Sequence, residues 1–262
     1  MTVFMIAFGT KHFESLRQER KKRRFLYSIT DFGVEAYAIL PDGNLEIINF
    51  APINGMRGCY LSTDYTNSFL FVAGYHDGKL TVLRIKEDGS IGEITDEVFH
   101  KGLGSIAERN SRPHINCARM THDNKFLLVA DPGMDHVKVY RLNQEWGKVE
   151  LVDILHSELD SAPRHIKISL DGRFIYVVHE WSCCIDVYSY EVKNDLPMFE
   201  KIQTIRTVKF EKGSTNAASA LSFSGEYGLN PMSSVKKGTS LFRARFVKRG
   251  ETAGADCRKI FS

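Results

Sequence analysis

The chain has 262 residues, of which 43% are hydrophobic, and its formal net charge is +3 at pH 7. This composition allows a substantial core, and the sequence has no run of 18 apolar residues that would predict a transmembrane span. The nearly balanced charge argues against a strongly basic nucleic-acid-binding domain. The five cysteines have no metal-ligand spacing and the N-terminus has no secretory pattern, so we expect reduced thiols in the cytoplasm.

The first stretch, residues 1–23, shows no clear pattern of β-strands and is predicted to be an irregular N-terminal segment. A basic run, RQERKKRR, occupies residues 17–24. Such a run is most often a solvated turn or terminus, and a role in nucleic-acid binding or localisation is the less frequent alternative. No aromatic residues alternate with these charges as stacking platforms, so we expect no nucleic-acid partner.

Four aromatic and aliphatic segments of similar sequence follow along the chain: RFLYSI (24–29), SFLFVA (68–73), KFLLVA (125–130) and RFIYVV (173–178). After each comes a polar turn and an alternating strand, and then another turn and a further short strand. The alternating strands are VEAYAIL, KLTVLRI, HVKVYRL and CIDVYSY. Intervals of 44, 57 and 48 residues separate the corresponding positions Leu26, Leu70, Leu127 and Ile175.

A repeat of about 40–50 residues with four short strands indicates a β-propeller. A single four-stranded sheet cannot bury both of its faces, whereas sheets stacked around an axis bury them against each other. We therefore predict an all-β fold of four-stranded antiparallel blades over residues 24–224, about four blades and a partial fifth. The longest interval holds the polar insertion HKGLGSIAERNSRPH (100–114), and insertions in repeat folds often mark the binding face.

Three segments carry a resemblance to a known family. They are GCYLSTDYTNSFLFVAGYHDGKLTVLRIKEDGSIGE, RPHINCARMTHDNKFLLVADPGMDHVKVYRL and APRHIKISLDGRFIYVVHEWSCCIDVYSYE. Together they resemble successive blades of the lactonase-family seven-bladed propellers, which include propeller-type 6-phosphogluconolactonases and the fungal carboxymuconate cyclase. The ordered occurrence of Pro-His, Ala-Asp-x-Gly-x-Asp, Pro-Arg-His and a strand-ending Glu carries the likeness. It implies a lactone hydrolase of sugar-acid metabolism, with 6-phosphogluconolactone as the expected substrate.

The blade pattern stops after residue 224, although GSTNAASALSFS (213–224) begins another blade. Residues 225–262 hold eight Lys and Arg against three Asp and Glu, and they show no blade pattern. We interpret them as a basic tail outside the family, the result of truncation or a frameshift. The expected fold is then an incomplete seven-bladed ring, and we expect the chain to be a fragment with uncertain activity of its own.

The resemblance implies three candidate site residues, His114, Arg164 and Glu180, near the central channel on one face. Arg164 enters one strand of a predicted hairpin and Glu180 leaves the next, so we expect these two residues to lie close together. Lactone opening needs a base to activate water and a donor to stabilise the oxyanion. A histidine suits the base role, an arginine can hold an anionic substrate group, and a glutamate can orient the histidine or accept sugar hydroxyls. The chain departs from the family pattern at Asn116, where a second His is frequent, and at His179, where an Asn is frequent.

Structural alternatives apply to each candidate. Arg164 could cap a turn, His114 could be a satisfied structural imidazole, and Glu180 could pair with Arg164 only to hold the hairpin ends together. Strand alternation predicts that His165 and His179 face away from the site. No cofactor, metal or membrane association is expected, and the expected partner is a small sugar lactone. The alternative function is a non-catalytic propeller scaffold that binds a protein or carbohydrate.

Overall fold

The structure, a computed structural model, describes residues 6–9, 24–104, 112–207, 216–223, 229–235 and 238–241. These residues form strands and turns, and no helix occurs among them. The chain divides into two compact units, Met1–His156 and Ser157–Ser262. The predicted all-β fold with four-stranded antiparallel sheets is confirmed.

The first unit contains three sheets, each made from four consecutive strands. The first sheet comprises β1 (Ile6–Gly9), β2 (Phe25–Ile29), β3 (Gly33–Ile39) and β4 (Leu45–Pro52). The second comprises β5 (Tyr60–Thr63), β6 (Phe69–Gly74), β7 (Lys79–Ile85) and β8 (Ile91–Phe99). The third comprises β9 (Cys117–Met120), β10 (Phe126–Asp131), β11 (His136–Leu142) and β12 (Val149–His156).

The second unit contains one sheet of four strands and one of three. The four-stranded sheet comprises β13 (Pro163–Ile168), β14 (Phe174–His179), β15 (Cys184–Lys193) and β16 (Leu196–Arg206). The three-stranded sheet comprises β17 (Asn216–Phe223), β18 (Leu229–Val235) and β19 (Gly238–Leu241). Neighbouring strands pair antiparallel throughout, as expected for short connections between them.

The four predicted aromatic and aliphatic segments are the second strands of the four-stranded sheets, β2, β6, β10 and β14. Strands β6 and β10 are buried along their whole length, which explains their continuous apolar sequence, since both faces are covered. In the first unit, β2 and β6 contribute to one core that includes Tyr27, Ile29, Leu70 and Val72. In the second unit, β14 and β15 pack against β17 through residues such as Val178, Ile185 and Leu221.

The turns before the second strands use the residue types that the sequence indicated. Asn67, Asn124 and Gly172 adopt positive φ angles of 55°, 58° and 73° at corresponding positions, a conformation that Asn and Gly tolerate best. In the first of these turns, Asp64 accepts hydrogen bonds from the backbone amides of Ser68 and Phe69, at 2.7 and 2.8 Å. The same turn chemistry therefore recurs from sheet to sheet.

One expectation for the N-terminal end needs correction. Ile6–Gly9 forms β1 and pairs with β2, although residues 1–23 were expected to be irregular. A four-residue strand is too short to show alternation, and strand pairing through backbone hydrogen bonds does not require apolar side chains. Strands β18 and β19 lie within 225–262, and the interpretation of these residues as a basic tail outside the family stays a prediction. The basic run except Arg24, and residues 105–111 of the polar insertion, lie outside the described residues.

Candidate functional site

Arg164 and Glu180 are positioned by the hairpin of β13 and β14. Pro163 pairs with His179 and His165 pairs with Val178, so Arg164 falls in a shift of register between them. Such an irregularity turns a side chain away from the regular alternation of the strand. Glu180 follows β14 directly, and its backbone amide donates to the carbonyl of Ala162 at 2.8 Å.

The side chains of Arg164 and Glu180 form an ion pair, with Nη1 2.6 Å from Oε2. They are 35% and 24% exposed, so both charges remain partly in contact with solvent. The predicted proximity of these two residues is confirmed. The guanidinium has five N–H donors in a planar fork, and a partly exposed fork can hold a carboxylate or a phosphate.

His114 lies in the first unit and is buried. Its Nδ1 is 2.7 Å from the carbonyl oxygen of Tyr75, and its ring stacks on the Tyr75 ring at a centroid distance of 4.3 Å. A carbonyl oxygen only accepts hydrogen bonds, so in the neutral ring Nδ1 carries the proton and Nε2 carries the lone pair. This tautomer lets Nε2 accept a proton.

Asp131 supports the backbone of His114. Its Oδ1 accepts hydrogen bonds from the amides of His114 and Gly133, at 2.9 and 3.1 Å. Its Oδ2 lies 2.6 Å from Nδ1 of His100, and the hydroxyl of Tyr140 lies 3.0 Å from Nε2 of the same ring. The sequence motif Ala-Asp-x-Gly-x-Asp contained Asp131 and Gly133 but did not predict this role. Nothing in the sequence around His100 predicted its contact with Asp131.

His179, which alternation placed away from the site, is buried in a second polar cluster. Its Nε2 is 3.1 Å from Oδ2 of Asp186, and its Nδ1 is 3.2 Å from the hydroxyl of Ser161. Burial alone would raise the pKa of Asp186, but its close polar contacts with His179, Thr204 and Lys201 outweigh it and hold the pKa at about 2. This cluster anchors the residues that precede Arg164 and Glu180 in the chain.

His165, the other flanking histidine, accepts a hydrogen bond at Nδ1 from the backbone amide of Leu221 in β17, at 3.0 Å. Asn116, a position at which the family pattern differs, donates its backbone amide to the carbonyl of Ala130 at 3.0 Å. Both contacts serve strand packing inside one unit.

The structure thus brings together two of the three candidates. Arg164 and Glu180 lie in the second unit, and His114 lies in the first. Within the described ranges, no group of three or more His, Cys, Asp and Glu side chains is arranged to hold a metal ion. Among those same residues, no helix is long and apolar enough to cross a membrane.

A family model described as a lactonase with a seven-bladed β-propeller matches residues 16–228. An uncharacterized protein of Staphylococcus epidermidis is 30% identical over 213 residues, which cover 79% of this chain and 61% of that protein. A 6-phosphogluconolactonase of Bacillus subtilis is 31% identical over 207 residues, which cover 77% of this chain and 58% of that protein. The chain therefore spans about three fifths of the length of these relatives.

Solved structures agree with the architecture. A protein from Lactobacillus plantarum matches 99% of this chain and 70% of its own, with a TM-score of 0.79 and 24% identity. The periplasmic gluconolactonase of Pseudomonas aeruginosa matches 98% of this chain and 70% of its own, with a TM-score of 0.79 and 21% identity. At these identities the likeness establishes the fold.

Proposed function

Because this chain belongs to the seven-bladed β-propeller lactonase family, we propose that it serves the hydrolysis of a sugar lactone, with 6-phosphogluconolactone as the substrate. The family match over residues 16–228 is the observation that carries this proposal. The 31% identity to a 6-phosphogluconolactonase supports the choice of lactone. We also propose a cytoplasmic location, because Cys183 and Cys184 are free, buried thiols and such thiols are typical of a reducing compartment.

In this proposal, water adds to the lactone carbonyl and forms a tetrahedral oxyanion. Collapse of that intermediate breaks the bond between the carbonyl carbon and the ring oxygen, which takes a proton and becomes a hydroxyl group. The product is the open hydroxy acid. A proton acceptor is needed for the water and a hydrogen-bond donor for the oxyanion.

We assign the proton acceptor role to His114. The contact between its Nδ1 and the Tyr75 carbonyl supports this assignment, because it leaves the lone pair on Nε2. The stacked Tyr75 ring restricts the orientation of the imidazole. A neutral imidazole with its lone pair on Nε2 can take the proton that water gives up as it adds to the carbonyl.

We assign the binding of negative charge to Arg164, either the phosphate group of the substrate or the oxyanion. Its partly exposed position supports this assignment, since a ligand must reach the guanidinium. Glu180 holds one Nη of Arg164 at 2.6 Å and so limits the directions in which the remaining donors point. A point charge cannot reproduce that fork, so lysine is a poor substitute at this position.

The test is lactone hydrolysis by the purified chain, measured with 6-phosphogluconolactone and with unphosphorylated gluconolactone after subtraction of spontaneous hydrolysis. Arg164→Ala should lower kcat/KM by roughly 100-fold to 1000-fold, the typical effect of removing a preorganised oxyanion donor. Arg164→Lys should restore little of this loss. Arg173→Ala is the matched control, since Arg173 is an exposed arginine paired with Asp171 in the turn between β13 and β14.

Two results would count against the proposal. A folded protein that does not accelerate either reaction would favour the non-catalytic scaffold. Unchanged turnover in a folded Arg164→Ala variant would return this arginine to a structural role. A loss with the phosphorylated lactone alone would assign Arg164 to the phosphate group, and a loss with both lactones would assign it to the oxyanion.

A further inference from the structure

We propose that Asp131 is a positioning residue that sets the location and tautomer of the His114 imidazole, with His100 and Tyr140 completing its hydrogen bonds. This inference rests on the proposed function for its catalytic consequence. We call Asp131, His100, Tyr140 and the backbone amides of His114 and Gly133 the Asp131 network. The side chains of Asp131 and His100 are both fully buried.

With Asp131 accepting at both oxygens and His100 neutral, the hydrogen bonds of the Asp131 network have one consistent set of directions. Oδ1 of Asp131 accepts from two backbone amides. Oδ2 then accepts from Nδ1–H of His100 at 2.6 Å. With that proton on Nδ1, Nε2 of His100 accepts from the Tyr140 hydroxyl at 3.0 Å. Every polar atom named in this chain of contacts therefore has a partner.

The neutral form of His100 agrees with these directions. Burial lowers the pKa of His100 and outweighs the opposing effect of Asp131. Burial likewise raises the pKa of Tyr140, so its hydroxyl keeps its proton and can donate it to the ring. The network therefore holds a hydrogen-bond acceptor at a fixed position beside the amide of His114.

His114 is held at two points, one within the Asp131 network and one outside it. Asp131 holds its backbone amide, and the Tyr75 carbonyl holds its Nδ1. Tyr75 lies in the turn between β6 and β7, and the carbonyl of Gly78 in that same turn accepts the backbone amide of His100 at 2.9 Å. His100 thus connects the Asp131 carboxylate to the turn that fixes the imidazole.

Close packing restricts the movement of this backbone. A Cβ atom on Gly133 would lie 1.9 Å from the carbonyl oxygen of Arg112 and 3.0 Å from Cδ2 of His114. The turn after β10 therefore touches the segment that enters β9. Loss of the Asp131 carboxylate would remove the hydrogen bonds that keep these two segments in register. A displacement of a catalytic group by about 1 Å can lower a rate about 100-fold.

The test uses the side-chain ¹⁵N resonances of histidine, which report which ring nitrogen carries the proton, with His114→Gln and His100→Gln used for assignment. The unmodified protein should show the Nδ1–H tautomer for both His114 and His100. Asp131→Ala should leave His114 as a mixture of tautomers. It should also lower kcat roughly 10-fold to 100-fold with a much smaller change in KM.

Asp131→Asn separates positioning from simple loss of stability. The side-chain oxygen of Asn can still accept the two amides, while its NH₂ group faces His100, so His100 should switch to the Nε2–H tautomer and Tyr140 should become the acceptor. His114 should keep its Nδ1–H tautomer and most of its activity. Asp64→Asn is the matched control, because Asp64 is another buried carboxylate that accepts backbone amides, in the turn before β6.

An unchanged His114 tautomer in a folded Asp131→Ala variant would overturn the proposal, as would an unchanged His100 tautomer in Asp131→Asn. A change in the His114 tautomer that also occurs in Asp64→Asn would show a general loss of packing, and it too would overturn the proposal. The resonance measurements do not depend on turnover. An inactive protein in which Asp131→Ala alone disturbs His114 would therefore contradict the proposed function while supporting the positioning role.

Discussion

Arg164 and Glu180 lie sixteen residues apart in the chain, and their side chains meet with Nη1 2.6 Å from Oε2. The contact forms because antiparallel strands β13 and β14 begin and end at the same edge of their sheet. The shift of register at Arg164 brings the guanidinium to the side of Glu180. The pair is partly exposed, so a role in ligand binding is compatible with its position.

Glu180→Gln should affect activity more than stability. A partly exposed ion pair contributes roughly 0–1 kcal/mol to folding, so the free energy of unfolding should change by less than about 1 kcal/mol. The loss of a charged acceptor that orients Arg164 should lower kcat/KM about 10-fold or more. Urea denaturation and lactone hydrolysis measure the two effects.

The control for Glu180→Gln is Asp171→Asn, which removes the acceptor of another arginine pair, 2.7 Å from Nε of Arg173. This exposed pair should affect neither measurement by a large amount. If Glu180→Gln lowers stability by several kcal/mol and leaves kcat/KM unchanged, the pair only holds the hairpin ends together.

Asp186 should make stability depend on pH in the acid range. Its pKa in the folded protein is about 2, against an ordinary value of 3.8. The stabilisation is therefore fully present above about pH 4 and is lost as the pH falls towards 2. A shift of this size corresponds to a difference on the order of 2 kcal/mol.

Urea denaturation of the unmodified protein and of Asp186→Asn, between pH 5 and pH 2, measures this effect. The difference in the free energy of unfolding should be largest at pH 5 and should shrink as the pH falls. Lys201 and Thr204 also contact this carboxylate, at 2.9 and 2.6 Å. The Asn variant therefore loses the ion pair with Lys201 and the charged acceptor of the Thr204 hydroxyl. A difference that stays constant over the whole range would contradict the prediction.

Lys79→Met should destabilise the first unit. The ammonium group of Lys79 is 2.5 Å from the carbonyl oxygen of Ile53, 2.8 Å from that of Asn54 and 2.8 Å from Glu97, while the side chain is only 2% exposed. Methionine fills similar space but leaves these acceptors without their donor, at a cost of roughly 1–3 kcal/mol. Chemical denaturation measures the loss.

Lys148→Met provides the comparison for Lys79. Lys148 is 65% exposed and its Nζ lies 3.5 Å from Asp96, so its removal should change stability by less than about 0.5 kcal/mol. Equal losses of stability for the two variants would show that the burial of Lys79 does not determine its contribution to folding.

Gly133→Ala should displace the segment that carries His114. The added Cβ atom would overlap the carbonyl oxygen of Arg112, and backbone cannot move aside as a flexible side chain can. We expect a loss of stability of about 1–3 kcal/mol together with a loss of activity. Gly92→Ala in β8 is the control, because its Cβ atom would meet its neighbours at 3.4–3.5 Å, which is ordinary contact. Similar behaviour of both variants would contradict the close approach at Gly133.

The sequence alone predicted the second strand of each four-stranded sheet and the order of these strands along the chain. The segments at β2, β6, β10 and β14 are strongly apolar because both faces are covered, and the Asn and Gly turns before three of them recur at matching positions. These are local signals, so each repeat could be recognised without knowing its neighbours. Strand β1 was missed for the same reason, since four residues carry too little local pattern.

The sequence also selected Arg164 and Glu180 as neighbours, because a hairpin brings the ends of adjacent strands together. Only the tertiary structure decided that Asp131 meets His100 and that His179 meets Asp186. Each of these contacts depends on the register between strands and on which side chains are removed from water. A buried histidine and a buried carboxylate each need a hydrogen-bond partner within the protein, because water does not reach them. That partner comes from a different part of the chain, so no short stretch of sequence predicts the contact.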